Sequence, residues 1–306
     1  MSGALYRARA DGRDLASQSA PGELVDVGGH RLHIWCVGTG NPVVVLDSGL
    51  GGTAFDWGHV QPEVARFTRV CSYDRAGMGY SDPGPKPRTS QQIVDELSAL
   101  LNRTVDGPVV LVGASIGGWN VRLFASEHTS LAAGLVLVDA RHEDQTERMA
   151  AAGMPEDPPW VAHVAAPVAY LGVARLLDIA PGIPIHLFAP EVRKYVQATR
   201  SRSSALAAAA SELLSGPVSA VQVRATRREL PIPVVVISAG QRGPHEAEVL
   251  GALQRDQATL SRTSCRVIAV RSGHAITFGQ PEIVVSAIRA VVHATTRPLD
   301  CNSIKE

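Results

Sequence analysis

A serine hydroxyl attacks a carbonyl only when it is exposed, aimed and next to a base. The stretch Gly113-Ala114-Ser115-Ile116-Gly117 answers the first two needs. It follows the apolar run Pro108-Val109-Val110-Leu111-Val112, which reads as a buried strand, and opens the helical pattern Ile116–Glu127. A nucleophile on such a strand-to-helix turn projects from the sheet edge. The flanking glycines suit it because a Cβ there would collide as the chain reverses. The pattern is short enough to arise by chance in a chain with 28 glycines, so its context has to carry the argument.

The base must come from another loop at the same edge. Of the ten histidines, His274 alone follows a strand candidate and stands last in a Ser, acid, His order, in Arg271-Ser272-Gly273-His274. The acid is contested. After the strand candidate Leu135–Val138 comes Asp139, which we favour; after Val234–Ser238 no aspartate appears, and Glu246 is the alternative acid. For the oxyanion, two backbone donors are expected: the N–H of Ile116, at the helix start, and that of Leu50, in the glycine loop Asp47-Ser48-Gly49-Leu50-Gly51-Gly52. That loop lacks the spacing of a phosphate cradle. We expect no cofactor and no metal.

The elements that position these residues are legible as well. Glu23 to Val37 reads as a β-hairpin turning at Gly28-Gly29. Buried strands are predicted at Val43–Asp47, Val70–Tyr73, Val109–Val112, Leu135–Val138, Val234–Ser238 and Arg266–Val270, with helices over Thr89–Leu101, Ile116–Glu127 and Glu282–His293. Continuous apolar strands alternating with helices specify an α/β protein: a mostly parallel sheet, helices on both faces, and the hairpin as an antiparallel edge. Between Asp144 and Leu230 no strand candidate appears and prolines punctuate Ala/Leu-rich helical stretches, so a helical insertion is expected over the ligand crevice. The expected organisation is an N-terminal extension (1–20), a core (21–143 and 231–306) and a helical cap (144–230).

Composition bounds the partners. Lys+Arg and Asp+Glu are equal at 29 each, which gives no field for nucleic acid or an anionic membrane; a small-molecule substrate is expected. Met1 to Gln18 carries no apolar core of a signal or anchor, and His163, Pro167 and Arg175 interrupt the apolar stretch Val161 to Leu177, so no membrane insertion is expected and the location is read as cytoplasmic. Cys36, Cys71, Cys265 and Cys301 lack Cys-x-x-Cys spacing and read as inert thiols with neither zinc nor disulfides.

Together, the glycine loop at Asp47, the Tyr73-Asp74-Arg75-Ala76-Gly77-Met78-Gly79-Tyr80-Ser81 stretch, the Ser115 turn and Ser272-Gly273-His274 resemble the α/β-hydrolase fold superfamily, in its serine-nucleophile branch. The resemblance implies an eight-stranded sheet with a cap after the sixth strand, Leu135–Val138. Some members, such as haloalkane dehalogenases, carry the triad acid after that strand, which favours Asp139. The sequence departs from the family where Asp47-Ser48 replaces His-Gly. Asp74 and Arg75 are read as braces for the loops.

The expected activity is that of an esterase-like serine hydrolase cleaving an ester, thioester or lactone of a small apolar substrate through an acyl-enzyme. Carbon–carbon bond hydrolysis and cofactor-free perhydrolysis use the same machinery. A ligand-binding or slow-turnover receptor of the same fold is the alternative from another class, and the complete Ser–His pair speaks against it.

Overall fold

The computed structural model describes residues 19–154, 183–200 and 202–305. Residues Val161 to Leu177, named above for their apolar run, and all but the end of the expected 1–20 extension lie outside these. The chain opens with the hairpin β1 (Glu23–Asp26) and β2 (Arg31–Val37), then β3 (Val43–Asp47), a short helix α1 (Gln61–Val64) and β4 (Val70–Tyr73). Next come α2 (Ser90–Thr104), β5 (Val109–Ala114), α3 (Gly117–Glu127) and β6 (Ala132–Val138). Helices α4 (Gln145–Ala151), α5 (Arg193–Thr199), α6 (Ser203–Leu214) and α7 (Gly216–Ala225) fill the described part of the insertion. The chain then returns as β7 (Val234–Ala239), α8 (Pro244–Ala258), β8 (Ser264–Ala269), α9 (Ile276–Gly279) and α10 (Pro281–Ala294).

The strands form one eight-stranded sheet in the order β1-β2-β4-β3-β5-β6-β7-β8. The β1–β2 and β2–β4 pairs are antiparallel, and every other pair is parallel. Side chains alternate across the pleat, so Val43 and Val45 pack in the layer that holds Leu97 of α2 and Leu123 of α3, while Val44 and Leu46 face the layer of Ile283 and Ile288 from α10. Burial on both faces explains why these strands are continuous apolar runs. The chain leaves β3 for β4 on one side and then crosses to β5 on the other. Ligands bind at the carboxyl ends of strands beside such a reversal.

Helix α8 has no counterpart in the sequence reading. Its buried residues are Leu250, Gly251, Leu253, Gln254 and Gln257, so only two of the five are large apolar side chains and the apolar period fades. Both glutamines are used: Gln254 donates to Asp139 (2.6 Å), and Gln257 to the carbonyls of Ala140 (3.2 Å) and Arg141 (3.1 Å). Among the described residues no single helix is long and apolar enough to cross a membrane.

The cysteines correct an expectation. All four form disulfides, Cys36 with Cys71 and Cys265 with Cys301. Cys36 and Cys71 are register partners on the adjacent strands β2 and β4. Cys265 in β8 meets Cys301, which opens a 3-10 turn near the end of the chain. Their separations of 35 and 36 residues match no local motif, since it is strand pairing and chain return that bring them together. Denatured, unreduced protein should therefore react with no equivalents of a thiol reagent, and reduced protein with four. A thiol count of four without reductant would show that neither bridge forms.

Candidate active site

Four sequence segments meet at the carboxyl edge of the sheet. Ser115 follows β5 with φ of 52°, a left-handed backbone that costs a non-glycine residue of order 1–3 kcal/mol and persists only where its surroundings fix it. Those surroundings are glycines. A Cβ at Gly113 would lie 2.5 Å from the Gly117 carbonyl oxygen, one at Gly117 would lie 2.6 Å from that of Asp47, and one at Gly118 would lie 2.3 Å from the Ala140 Cβ. The turn is thus wedged between the β3 loop and the β6 loop, and the Ser115 N–H and C=O are held by Val138 O (3.1 Å) and Arg141 N (2.8 Å).

His274 stands in the loop after β8, with its Nε2 3.1 Å from the Ser115 Oγ and its Nδ1 2.5 Å from the Asp139 Oδ2. Asp139 follows β6, also with positive φ (43°), and its carboxylate is fully buried. Its Oδ1 accepts from Ala239 N (3.1 Å) and Gln254, and its Oδ2 also accepts from the Arg242 guanidinium. Burial raises the cost of ionising Asp139, but the His274 hydrogen bond and the Arg242 charge outweigh it and hold the carboxyl below its usual range. Of the carboxylates weighed from sequence, then, Asp139 is the one that reaches the histidine. Glu246 sits on α8, half-exposed, with an oxygen 3.7 Å from the Arg242 Nε. Arg242 occupies the loop after β7 where an acid was sought, a residue the sequence reading passed over.

The glycine loop after β3 lies against the serine: a Cβ on Gly49 would approach the Ser115 Cβ to 3.2 Å. Among the described residues, neither the Leu50 nor the Ile116 N–H has an acceptor within the protein. Arg75 fixes this loop. Its Nη1 donates to Asp47 Oδ1 (2.6 Å) and the Ser48 carbonyl (2.7 Å), its Nη2 to the Gly49 carbonyl (2.7 Å), and Nε and Nη2 form a bidentate pair with Glu212 of α6 (2.8 and 2.9 Å). Burial opposes the charge on Arg75, but the Glu212 and Asp47 carboxylates more than offset this and raise its pKa well above the ordinary value. Asp47 also accepts from the Tyr73 hydroxyl and the Asn120 amide, both at 2.9 Å. Asp74 caps the next turn through Ala54 N (2.7 Å) and Tyr80 N (2.9 Å), and pairs with the buried His33 (2.8 Å). Both residues read as braces therefore hold loops together.

A cavity of about 740 Å3 opens on Ser115 and His274. Its walls include Trp57, Ile93 and Phe278 from the core, and Leu213, Pro217 and Ala220 from the insertion helices. A smaller cavity of about 260 Å3 reaches the same two residues from the side of Arg242 and Leu250. Beside the large cavity, Glu143 is buried and paired with Arg122 (2.6 and 2.9 Å) and Arg227 (3.0 Å). Among the described residues no group of three or more His, Cys, Asp or Glu side chains is disposed to hold a metal ion.

An eight-stranded, mostly parallel sheet with a serine on the turn after β5 and a histidine after β8 defines a class, the α/β hydrolases. The chain belongs to the alpha/beta hydrolase family, whose model matches residues 43–287. It is similar to 2-hydroxy-6-oxo-2,4-heptadienoate hydrolase from Pseudomonas putida, 35% identical over 122 residues that make up 39% of this chain and 44% of that one. An uncharacterized protein of Schizosaccharomyces pombe is 44% identical over 82 residues, 26% of this chain and 15% of its own. The alignments with the first curated relatives span only 15%, 19% and 21% of those proteins. Among solved structures, a thermophilic esterase from Thermogutta terrifontis aligns with a TM-score of 0.60 at 25% identity, covering 91% of this chain and 99% of that one. Cfl2 from Burkholderia cenocepacia aligns at 0.66 and 22% identity, over 88% and 95% of the two chains, and shows the shared fold.

Glu143 gives a pH test. Burial raises its pKa, but the Arg122 hydrogen bonds and charge more than compensate and bring it from 4.5 down to about 2. A depressed carboxyl contributes stability in full above its unfolded pKa and loses it as pH falls toward the folded one. Glu143→Gln should therefore lower Tm at pH 7 and flatten its decline between about pH 5 and pH 2. Thermal unfolding followed across that range checks this, and parallel Tm curves for the two proteins would refute it.

Proposed function

We propose that the protein is a metal-independent serine hydrolase that cleaves a carboxylic ester, thioester or lactone of a small, largely apolar substrate through an acyl-enzyme. The observation that carries this is the relay from Ser115 Oγ to His274 Nε2 at 3.1 Å and from His274 Nδ1 to Asp139 at 2.5 Å. In this reading Ser115 attacks the carbonyl carbon as its proton passes to His274 Nε2. Ionised Asp139 fixes the imidazole tautomer and stabilises the imidazolium that forms. The tetrahedral oxygen takes the negative charge and is met by the N–H groups of Ile116 and Leu50. His274 then protonates the leaving group as the carbon–oxygen or carbon–sulfur bond breaks. Water, deprotonated by His274, releases the acid and restores Ser115.

Ser115 stands where members of this fold that displace on carbon carry an aspartate, so that chemistry is disfavoured despite the structural likeness to the epoxide hydrolase CorEH. The cavity volume of about 740 Å3 suits one small molecule. We take residues 144–230 as a cap, because α6 and α7 contribute walls to the cavity that opens on the serine. Two of the curated relatives, named 2-hydroxy-6-oxo-2,4-heptadienoate hydrolase and 2-hydroxymuconate semialdehyde hydrolase, favour one second reading, hydrolysis of a carbon–carbon bond beside a carbonyl group, which the same relay would serve.

For location, the two disulfides outweigh the cytoplasmic expectation and favour an oxidising compartment. Neither nucleic acid nor membrane is proposed as a partner.

A fluorophosphonate should add once, at Ser115, as read by intact mass and peptide mapping, and the adduct should vanish in His274→Ala. No adduct, or an undiminished one in that variant, would sink the hydrolase reading. On an ester that the wild type turns over, Asp139→Asn should lower kcat by about 10^3 to 10^4, as expected when the imidazole loses its tautomer lock, while Glu246→Gln stays near wild type. The reverse pattern would make Glu246 the acid.

A further inference from the structure

Arg75 and Glu212 do more than join the insertion to the core. A guanidinium has five N–H donors, and all five of Arg75 are engaged, with two on the Glu212 carboxylate of α6 and one on the carbonyl of Gly49. The Gly49 carbonyl and the Leu50 N–H belong to one peptide group. That group is planar and trans, so its C=O and N–H point in opposite directions and turn together. Whatever fixes the Gly49 oxygen therefore aims the Leu50 hydrogen. Two donors fix it, Arg75 Nη2 at 2.7 Å and Gly52 N at 3.1 Å. A cation on the carbonyl also polarises the peptide and makes its N–H a stronger donor.

Arg75 is in turn aimed by its carboxylates. Asp47 holds one edge from β3, and Glu212 holds the other from α6; the Arg75, Asp47 and Glu212 side chains are all almost wholly buried. Helix α6 is seated on the same loops through small residues. A Cβ on Gly77 would lie 2.8 Å from the Ala208 Cβ, and one on Gly51 would lie 3.6 Å from that of Ala209. Bidentate geometry constrains the guanidinium plane far more than one contact would.

We propose that Glu212 is a positioning residue for catalysis: through Arg75 it sets the orientation of the Gly49–Leu50 peptide, so that the oxyanion donor is aimed only while α6 is docked. The proposal rests on Ser115 acting as the nucleophile and on Leu50 N–H serving the oxyanion. It links the seating of the insertion to the chemical step and not to the affinity for substrate.

The test is Glu212→Gln, which keeps the side chain's shape but removes the charge and one of its two acceptors. On an ester turned over by wild type, kcat should fall about 10- to 100-fold, short of the 10^2 to 10^3 for deleting an oxyanion donor outright, with KM within about threefold. A trifluoromethyl ketone, whose serine adduct carries the oxyanion, should weaken by a similar factor, while the matching methyl ketone binds as before. Should Glu212→Gln not fold, Glu212→Asp is measured instead, with the same pattern expected at smaller size. A kcat within twofold of wild type, a change confined to KM, or equal weakening of both ketones would overturn the proposal. If the wild type neither hydrolyses esters nor takes up a fluorophosphonate, the hydrolase reading fails and this inference falls with it. An active wild type with an unaltered Glu212→Gln sinks this inference alone.

Discussion

A guanidinium withdrawn from water has to be met on every donor, and much of this molecule's architecture answers that requirement at Arg75. Desolvating such an ion costs several kcal/mol, and one unmatched partner leaves the cost uncompensated. Here the partners come from separate parts of the chain: Asp47 and two carbonyls after β3, and Glu212 from an insertion more than a hundred residues later. Neither the loop nor the helix meets that demand alone. The same bonds that compensate the buried charge hold the glycine loop against Ser115, so the energetics of burial and the geometry of the site are one problem.

Strain is handled in a similar way. Among the described residues, two without the freedom of glycine, Ser115 and Asp139, carry positive φ, and both stand at the carboxyl end of a strand. The Ser115 backbone is gripped on both sides by Val138 and Arg141, while the Asp139 N–H donates to the Ile237 carbonyl (2.7 Å) and its carboxylate is bound by Ala239, Gln254 and Arg242. Over-determination of this kind lets a sharp turn persist and project its side chain into a cavity. The price is glycine at Gly113, Gly117 and Gly118, where any Cβ would meet a neighbour at 2.3–2.6 Å.

This division explains what was legible in the sequence. The strands were, because burial on both faces writes itself as runs such as Val43–Leu46 and Val234–Ile237. So was the serine turn, since steric demand restricts the residues around it. Helix α8 was not, because it spends two buried positions on glutamines that serve Asp139 and the carbonyls behind it. Nor were the disulfides, whose partners are neighbours only after β2 pairs with β4 and the end of the chain packs against β8. Pairing across a sheet leaves no mark on local spacing. The choice of acid lay between the two: Asp139 was visible as a carboxylate at a strand end, but its claim depends on which loop leans toward His274, a fact of tertiary packing.

Arg242 sharpens that last point. It sits in the loop where sequence reasoning sought an acid, and it shares the Asp139 Oδ2 with His274. Burial raises the Asp139 pKa, and the His274 hydrogen bond together with the Arg242 charge more than offsets it and holds the carboxyl below its usual range. The Asp139 carboxylate stands at the end of β6, and the loop after β7 faces it with a cation and not with a second acid. The carboxylate gains Gln254 and Arg242 as fixed partners, and the loop after β7 is left to supply the countercharge.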